Sequence, residues 1–140
     1  MSKKIKSPDI DKHTDYDILI IGGGLVGGSL ACAFQNSSIR IAVIEAVPFN
    51  STQQPSFDSR TVALSYGAKQ IFQSMDLWSD IETLGVAAIK DIHVSDRGHI
   101  GVTHLSSERY LNNSAKIDAL GYVVENRIIG EVINQRLLDT

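Results

Sequence analysis

Tyr16-Asp17-Ile18-Leu19-Ile20-Ile21-Gly22-Gly23-Gly24-Leu25-Val26-Gly27-Gly28 is the stretch that decides the fold. An apolar run of strand type stops on glycines and opens into residues of helical type. Glycines at 22, 24 and 27 have the spacing of the strand-to-helix turn in a dinucleotide-binding βαβ unit. In that reading Gly22 lets the chain leave the strand sharply. Gly24 removes a side chain where a pyrophosphate would come up to the backbone, and Gly27 lets the helix lie close to the strand. The backbone N–H groups of Leu25 and Val26, in the first helical turn, then face the phosphate charge together with the helix dipole.

The flanking sequence agrees with this reading. Ile39 to Ile44 is a second buried-type strand, and it ends in Glu45, where the fingerprint places an acid roughly 20 residues beyond the glycines. A carboxylate there accepts hydrogen bonds from both hydroxyls of an adenosine ribose and repels a 2′-phosphate. The expected class is α/β with a Rossmann-like FAD/NAD(P)-binding fold. The spacing does not separate FAD from NAD. The competing reading is a glycine turn that serves only strand–helix packing.

The chain has 140 residues, enough for one domain with a core of its own. Its net charge of −3 gives no basic field for nucleic acid. The apolar runs are too short to span a bilayer. Residues 1–15 are polar, carry Lys3, Lys4 and Lys6, and lack the apolar centre of a secretory signal. They read as a flexible tail. Cys32 is the one cysteine, which excludes an internal disulfide; among Ala31, Ala33 and Phe34 it reads as a packing residue.

Leu25 to about Asn36 reads as the first helix, and 47–59, with Pro48, Asn50 and Pro55, as a long loop. From Arg60 onward Leu64, Ala68, Ile71, Phe72 and Met75 recur at helical steps. That places Ser65 inside a helix without an elbow glycine pattern, which argues against acyl transfer. Leu77, Trp78, Ile81 and Leu84 give a second short helix that Gly85 stops, with Met75 and Trp78 as core contacts. Ala88–Ser95 and Ile100–Leu105 form a hairpin about Asp96-Arg97-Gly98. His93, His99 and His104 on it read as exposed strand histidines, and no metal is expected. Ser106 to Leu120 reads as irregular, Gly121–Glu125 as a strand, and Ile128, Ile129, Val132, Ile133, Leu137 and Leu138 as a helical stripe. That stripe runs out to the last residues with no glycine or proline stop. A fragment of a longer protein is therefore expected.

The glycine turn with Glu45, followed by Asp58-Ser59-Arg60-Thr61-Val62-Ala63-Leu64-Ser65, resembles the aromatic-ring flavoprotein monooxygenases, the group that includes 4-hydroxybenzoate hydroxylase. Arg60 with Ala63-Leu64-Ser65, and Leu120-Gly121-Tyr122-Val123-Val124-Glu125-Asn126, are similar to its ubiquinone-biosynthesis branch. His93 to Gly101 narrows the match within that branch. The resemblance covers Tyr16 to Thr140. It implies FAD as cofactor, NAD(P)H as reductant, and hydroxylation of a prenylated phenol. It implies that Gly22, Gly24, Leu25, Val26 and Gly27 hold the FAD pyrophosphate, that Glu45 holds the ribose, and that Arg60 approaches FAD with its planar guanidinium. It assigns no catalytic side chain.

The same resemblance implies that residues 16–140 are the N-terminal part of the monooxygenase domain, with the beginning of a mixed-sheet substrate domain. Two further FAD motifs, Asp-Gly and Gly-Asp, belong to the family, and neither dipeptide occurs in this chain. The implied partners are the prenylated phenol and other ubiquinone-biosynthesis proteins. The implied location is cytoplasmic, peripheral to the inner membrane. Two other readings compete: a truncated, non-catalytic FAD-binding remnant or assembly partner, and an NAD-dependent dehydrogenase. Glu45 permits the dehydrogenase, but the chain has no Tyr-Lys or His-Asp catalytic spacing.

Overall fold

A computed structural model describes residues 15–48, 60–111 and 117–139. All but Asp15 of the tail expected over residues 1–15, and most of the loop expected over 47–59, lie outside the described residues. In chain order the elements are β1 (Ile18–Ile21), α1 (Leu25–Ala33), β2 (Ile41–Ile44), β3 (Thr61–Ser65), α2 (Tyr66–Ser74), α3 (Trp78–Leu84), β4 (Ala87–Ile89), β5 (Asp91–Ser95), β6 (Val102–Ser106), α4 (Glu108–Leu111), β7 (Gly121–Glu125) and α5 (Asn126–Leu138). β1 and β2 pair in parallel across α1. This is the βαβ unit expected from the glycine turn. β3, β7 and β4 form an antiparallel sheet with β7 in the middle, and β5 pairs antiparallel with β6.

α5 organises the interior. Ile128, Ile129, Val132 and Ile133 are buried along it. They meet Cys32 of α1, Trp78 and Ile81 of α3, and Tyr122 and Val124 of β7 in one apolar cluster. Trp78 and Tyr122 pack edge to face, 4.9 Å between ring centres. Cys32 and Trp78 are core residues, as expected, and Met75 packs against the cluster.

The segment after Arg60 corrects the sequence reading. Thr61–Ser65 is a strand, not the start of a helix. Val62 and Leu64 face inward while Thr61, Ala63 and Ser65 are exposed, the period-two pattern of a half-covered strand. Leu64 fits both periods, which is why the helical count absorbed it. Ser65 is the N-cap of α2, with its Oγ accepting from Ala68 N at 3.2 Å. Arg60 therefore precedes a strand rather than a helix. Ala88–Ser95 is likewise two short strands, β4 and β5, split at Lys90. The returning strand is Val102–Ser106, and the stretch read as irregular contains α4. α1 ends at Ala33, three residues short of the expected end. The short helix stopped by Gly85 stands: that glycine has φ 128°.

A polar link ties α2 to the segment leading into β7. Lys69 is 8% exposed. Its ammonium donates to Tyr122 Oη at 2.8 Å and pairs with Asp118 at 3.1 Å, while Tyr122 Oη donates to Asp118 at 2.6 Å. The Tyr66, Trp78 and Tyr122 rings stand within 5.9, 5.6 and 4.7 Å of that ammonium. Burial alone would push Lys69 down, but the bonds to Tyr122 and Asp118 outweigh it and hold it above the ordinary lysine value. Burial pulls Asp118 up, and the bonds from Tyr122 and Lys69 overcome it, leaving its carboxyl below the ordinary range.

The link's contribution to stability is present above the ordinary aspartate value and is lost as pH falls through the lowered value of Asp118. On the basic side it is complete below the ordinary lysine value and is lost as pH rises through the raised value of Lys69. Lys69→Met is expected to lower the unfolding free energy by on the order of 2 kcal/mol. This is less than a fully buried pair would cost, because the Asp118 side chain is 58% exposed. Thermal melts at pH 7 check the loss, and the difference from the unaltered chain should shrink in strong acid.

Candidate nucleotide-binding site

The glycines of the turn act in three different ways. Gly22 has φ +97°, a conformation that side chains with a Cβ rarely adopt, and its N–H still bonds to Ile44 O at 2.8 Å. A Cβ on Gly27 would lie 1.9 Å from Gly22 O and 3.1 Å from Ile20 Cγ2. The helix therefore lies directly on the strand end, and only glycine fits. A Cβ on Gly24 would meet nothing within 4 Å, and its backbone is extended at φ −65°. The fold does not require glycine there. The space is open in front of the helix, where a ligand would approach.

α1 begins without assistance from side chains. Gly24 offers no capping bond, and the first turn holds no acid. Gly28 N reaches Gly24 O at 2.8 Å, so the N–H groups of Leu25, Val26 and Gly27 have no earlier carbonyl within the helix to bond. Beside them lies a shallow, open apolar surface formed by Ile20, Ile21, Val26 and Leu30. Ile21 and Val26 are more than four-fifths exposed.

Glu45 sits at the end of β2, against this turn. Its carboxylate accepts from Gly23 N at 2.6 Å through one oxygen and from Val47 N at 3.0 Å through the other. These two backbone bonds, Val47 first and Gly23 second, hold its carboxyl below the ordinary glutamate value. The group is ionised and fixed, and a carboxylate has lone pairs beyond the two used here. Gly22, Gly24, Leu25, Val26, Gly27 and Glu45 are thus brought together.

Arg60 is placed on the other sheet. It stands just before β3, and its carbonyl accepts from Asn126 N at 2.8 Å. The register sets Thr61 opposite Glu125, so Arg60 lies beside the start of α5. Sequence reasoning missed this neighbourhood. α5 also starts without a side-chain cap or an acid in its first turn. It carries Arg127 there, whose Nε donates to Glu125 at 2.5 Å. A cation in the first turn opposes the helix dipole, and that misfit was the available signal. A second pocket of about 400 Å³, lined by Phe34, Ile41, Val43 and Leu137, lies toward the far end of α1.

Among the described residues no helix is long and apolar enough to cross a membrane. No group of three or more His, Cys, Asp or Glu among them is set to hold a metal ion.

The architecture is that of the monooxygenase fold. The chain superposes on p-nitrophenol 4-monooxygenase PnpA from Pseudomonas putida with TM-score 0.64 at 18% identity, covering 87% of this chain and 29% of that one. It superposes on a variant of P. aeruginosa PqsL with TM-score 0.65 at 15% identity, over 89% and 31% of the two chains. More particularly, its sequence homologues are ubiquinone-biosynthesis hydroxylases. It is 33% identical over 123 residues to the ubiquinone hydroxylase UbiL of Rhodospirillum rubrum, covering 86% of this chain and 27% of that protein. It is 29% identical over 129 residues to the mitochondrial ubiquinone biosynthesis monooxygenase COQ6 of Dictyostelium discoideum, over 86% and 26%. With the 3-demethoxyubiquinol 3-hydroxylase of Escherichia coli the identity is 27% over 124 residues, covering 86% of this chain and 30% of that protein. The chain spans about a quarter of the length of the curated relatives it matches. No protein-family model matches it.

The glycines are separable by experiment. Gly27→Ala is expected to cost roughly 3 kcal/mol of stability, because a backbone carbonyl cannot move aside. Gly24→Ala is expected to cost less than about 1 kcal/mol, the scale of an N-cap change. Urea unfolding of the two variants checks the order.

Proposed function

We propose that this chain is the nucleotide-holding part of an FAD-dependent hydroxylase that acts on a prenylated phenol of ubiquinone biosynthesis. One observation carries the reading: a fixed, ionised Glu45 stands against the uncapped start of α1, in front of the empty space at Gly24. Gly22, Gly24 and Gly27, with the N–H groups of Leu25 and Val26, hold the FAD pyrophosphate. Glu45 takes the hydroxyls of the adenosine ribose. Arg60, with Arg127 beside it, supplies positive charge toward the cofactor.

FAD, when bound, supplies the redox chemistry that moves electrons from NAD(P)H to dioxygen and one oxygen atom to the ring. The residues of this chain bind and orient it. The names of the homologues support the substrate class. The run His93 to Gly101 is similar to the hydroxylase of 2-octaprenyl-6-methoxyphenol, which narrows the proposed substrate to that type. So apolar a substrate supports a cytoplasmic enzyme that works at the periphery of the inner membrane, and the names of the homologues support other proteins of the same biosynthesis as its neighbours.

The Glu45 assignment makes a specific prediction. 5′-AMP should displace FAD from the chain, whereas adenosine 2′,5′-bisphosphate, which differs from it only by the 2′-phosphate, should do so at least about tenfold more weakly, because that phosphate meets a carboxylate. Glu45→Gln should narrow that gap, and Arg60→Ala or Arg127→Ala should each weaken FAD by about tenfold. Fluorescence competition reads all of these. Equal displacement by both nucleotides contradicts the ribose assignment. Nucleotide binding by this chain, with no NAD(P)H oxidation by a longer polypeptide that contains it, would instead support a non-catalytic remnant.

A further inference from the structure

The β5–β6 hairpin holds an arrangement that the nucleotide site does not use. Ser107 N donates to Lys90 O at 2.8 Å, which makes Lys90 and Ser107 a hydrogen-bonded pair at its base. Pair types alternate along an antiparallel ladder. His93 and His104, directly opposite in the register, therefore fall on a non-hydrogen-bonded pair, where side chains come closest. Their rings stack with centroids 4.1 Å apart and planes 15° from parallel. His104 Nε2 lies 2.9 Å from Asp91 Oδ1. In the Nε2–H tautomer His104 donates to this carboxylate, and Nδ1 is then the nitrogen that carries the lone pair. Metal-binding histidines are oriented in this way, by a carboxylate on the nitrogen away from the metal.

We infer that His93 and His104 form a two-histidine site for a first-row divalent transition metal, with Asp91 orienting His104 from behind. Imidazole suits Zn(II), Cu(II) and Ni(II) rather than Mg(II) or Ca(II). Two nitrogens each about 2.0–2.1 Å from one tetrahedral ion stand roughly 3.4 Å apart. The 4.1 Å stack is the distance between ring centres; both rings are exposed, and tilting them about their side-chain bonds is the change that would turn two ring nitrogens toward one ion. Asp91 is a supporting group here and not a third ligand, so the remaining metal positions are open to water or an outside ligand. His99 is the internal contrast. It also has a carboxylate, Asp96 at 2.9 Å, but its position in the turn gives it no imidazole opposite. The ribbon is exposed on both faces from Asp91 to Leu105, and two-stranded ribbons are marginal alone. A metal across the strands would clip them together.

The test uses the untagged 140-residue chain and Zn(II) alone. Calorimetry should show one saturable equivalent. His93→Ala and His104→Ala should each weaken it by more than about tenfold, and Asp91→Asn by about tenfold, with His99→Ala unchanged. Substoichiometric Cu(II), added to the unaltered chain, should broaden the imidazole proton signals of His93 and His104 before those of His13 and His99. This readout does not depend on any variant folding. No saturable Zn(II) binding, binding that survives in both alanine variants, or equal broadening of all four histidines would overturn the inference.

Discussion

The close approach of α1 to the end of β1 is the constraint on which the rest depends. Gly27 lies so near the Gly22 carbonyl that no side chain fits between them. That contact fixes where the helix begins, and so where its unbonded N–H groups point. It also brings the turn within reach of the end of β2, where Glu45 receives the Gly23 N–H. The next residue continues the arrangement on the other side of the helix. A Cβ on Gly28 would lie 2.5 Å from Ile133 Cγ2, so α5 packs against α1 through a glycine as well. β7 leads directly into α5, and β3 pairs along β7. The tight packing of one helix is thereby connected, through α5 and β7, to the place where Arg60 and Arg127 stand.

The electrostatics follow from the same geometry. Neither α1 nor α5 has an acidic residue in its first turn or a side-chain capping bond, although such groups commonly occupy these positions in proteins. At α5 the N-cap Glu125 is drawn into a pair with Arg127, whereas the start of α1 carries no such group of its own. The Glu45 carboxylate stands at the glycine turn, held by the backbone N–H groups of Gly23 and Val47. An anion at the helix start and hydroxyl groups at Glu45 would complete this distribution, and a nucleoside diphosphate supplies both.

Legibility in the sequence followed the range of the interactions. The glycine turn, β1, α1, β2 and Glu45 were readable because their chemistry is local and ordered along the chain. The strand Thr61–Ser65 was not, because its partner Gly121–Glu125 lies some sixty residues further on and Leu64 satisfies a helical and an extended pattern equally. Ser65 just before the α2 stripe was a usable capping signal. Arg127 and Glu125 could be placed beside Arg60 only once the β3–β7 register was known. Lys69 carries no local signal of burial, one helical position after Ala68. Its burial depends on Asp118, Tyr122 and Trp78, which no local period connects to it.

The account's central claim is that the open space at Gly24, with Glu45 beside it, is a place for a nucleotide and not a packing accident. The most direct measurement is a titration of the 140-residue chain with FAD, followed by flavin fluorescence, beside Gly24→Val shown to be folded by circular dichroism. The account predicts saturable binding by the unaltered chain and its loss in the valine variant, with little change in melting temperature. Binding by Gly24→Val as tight as by the unaltered chain, or a folded chain that binds no FAD at all, would contradict it.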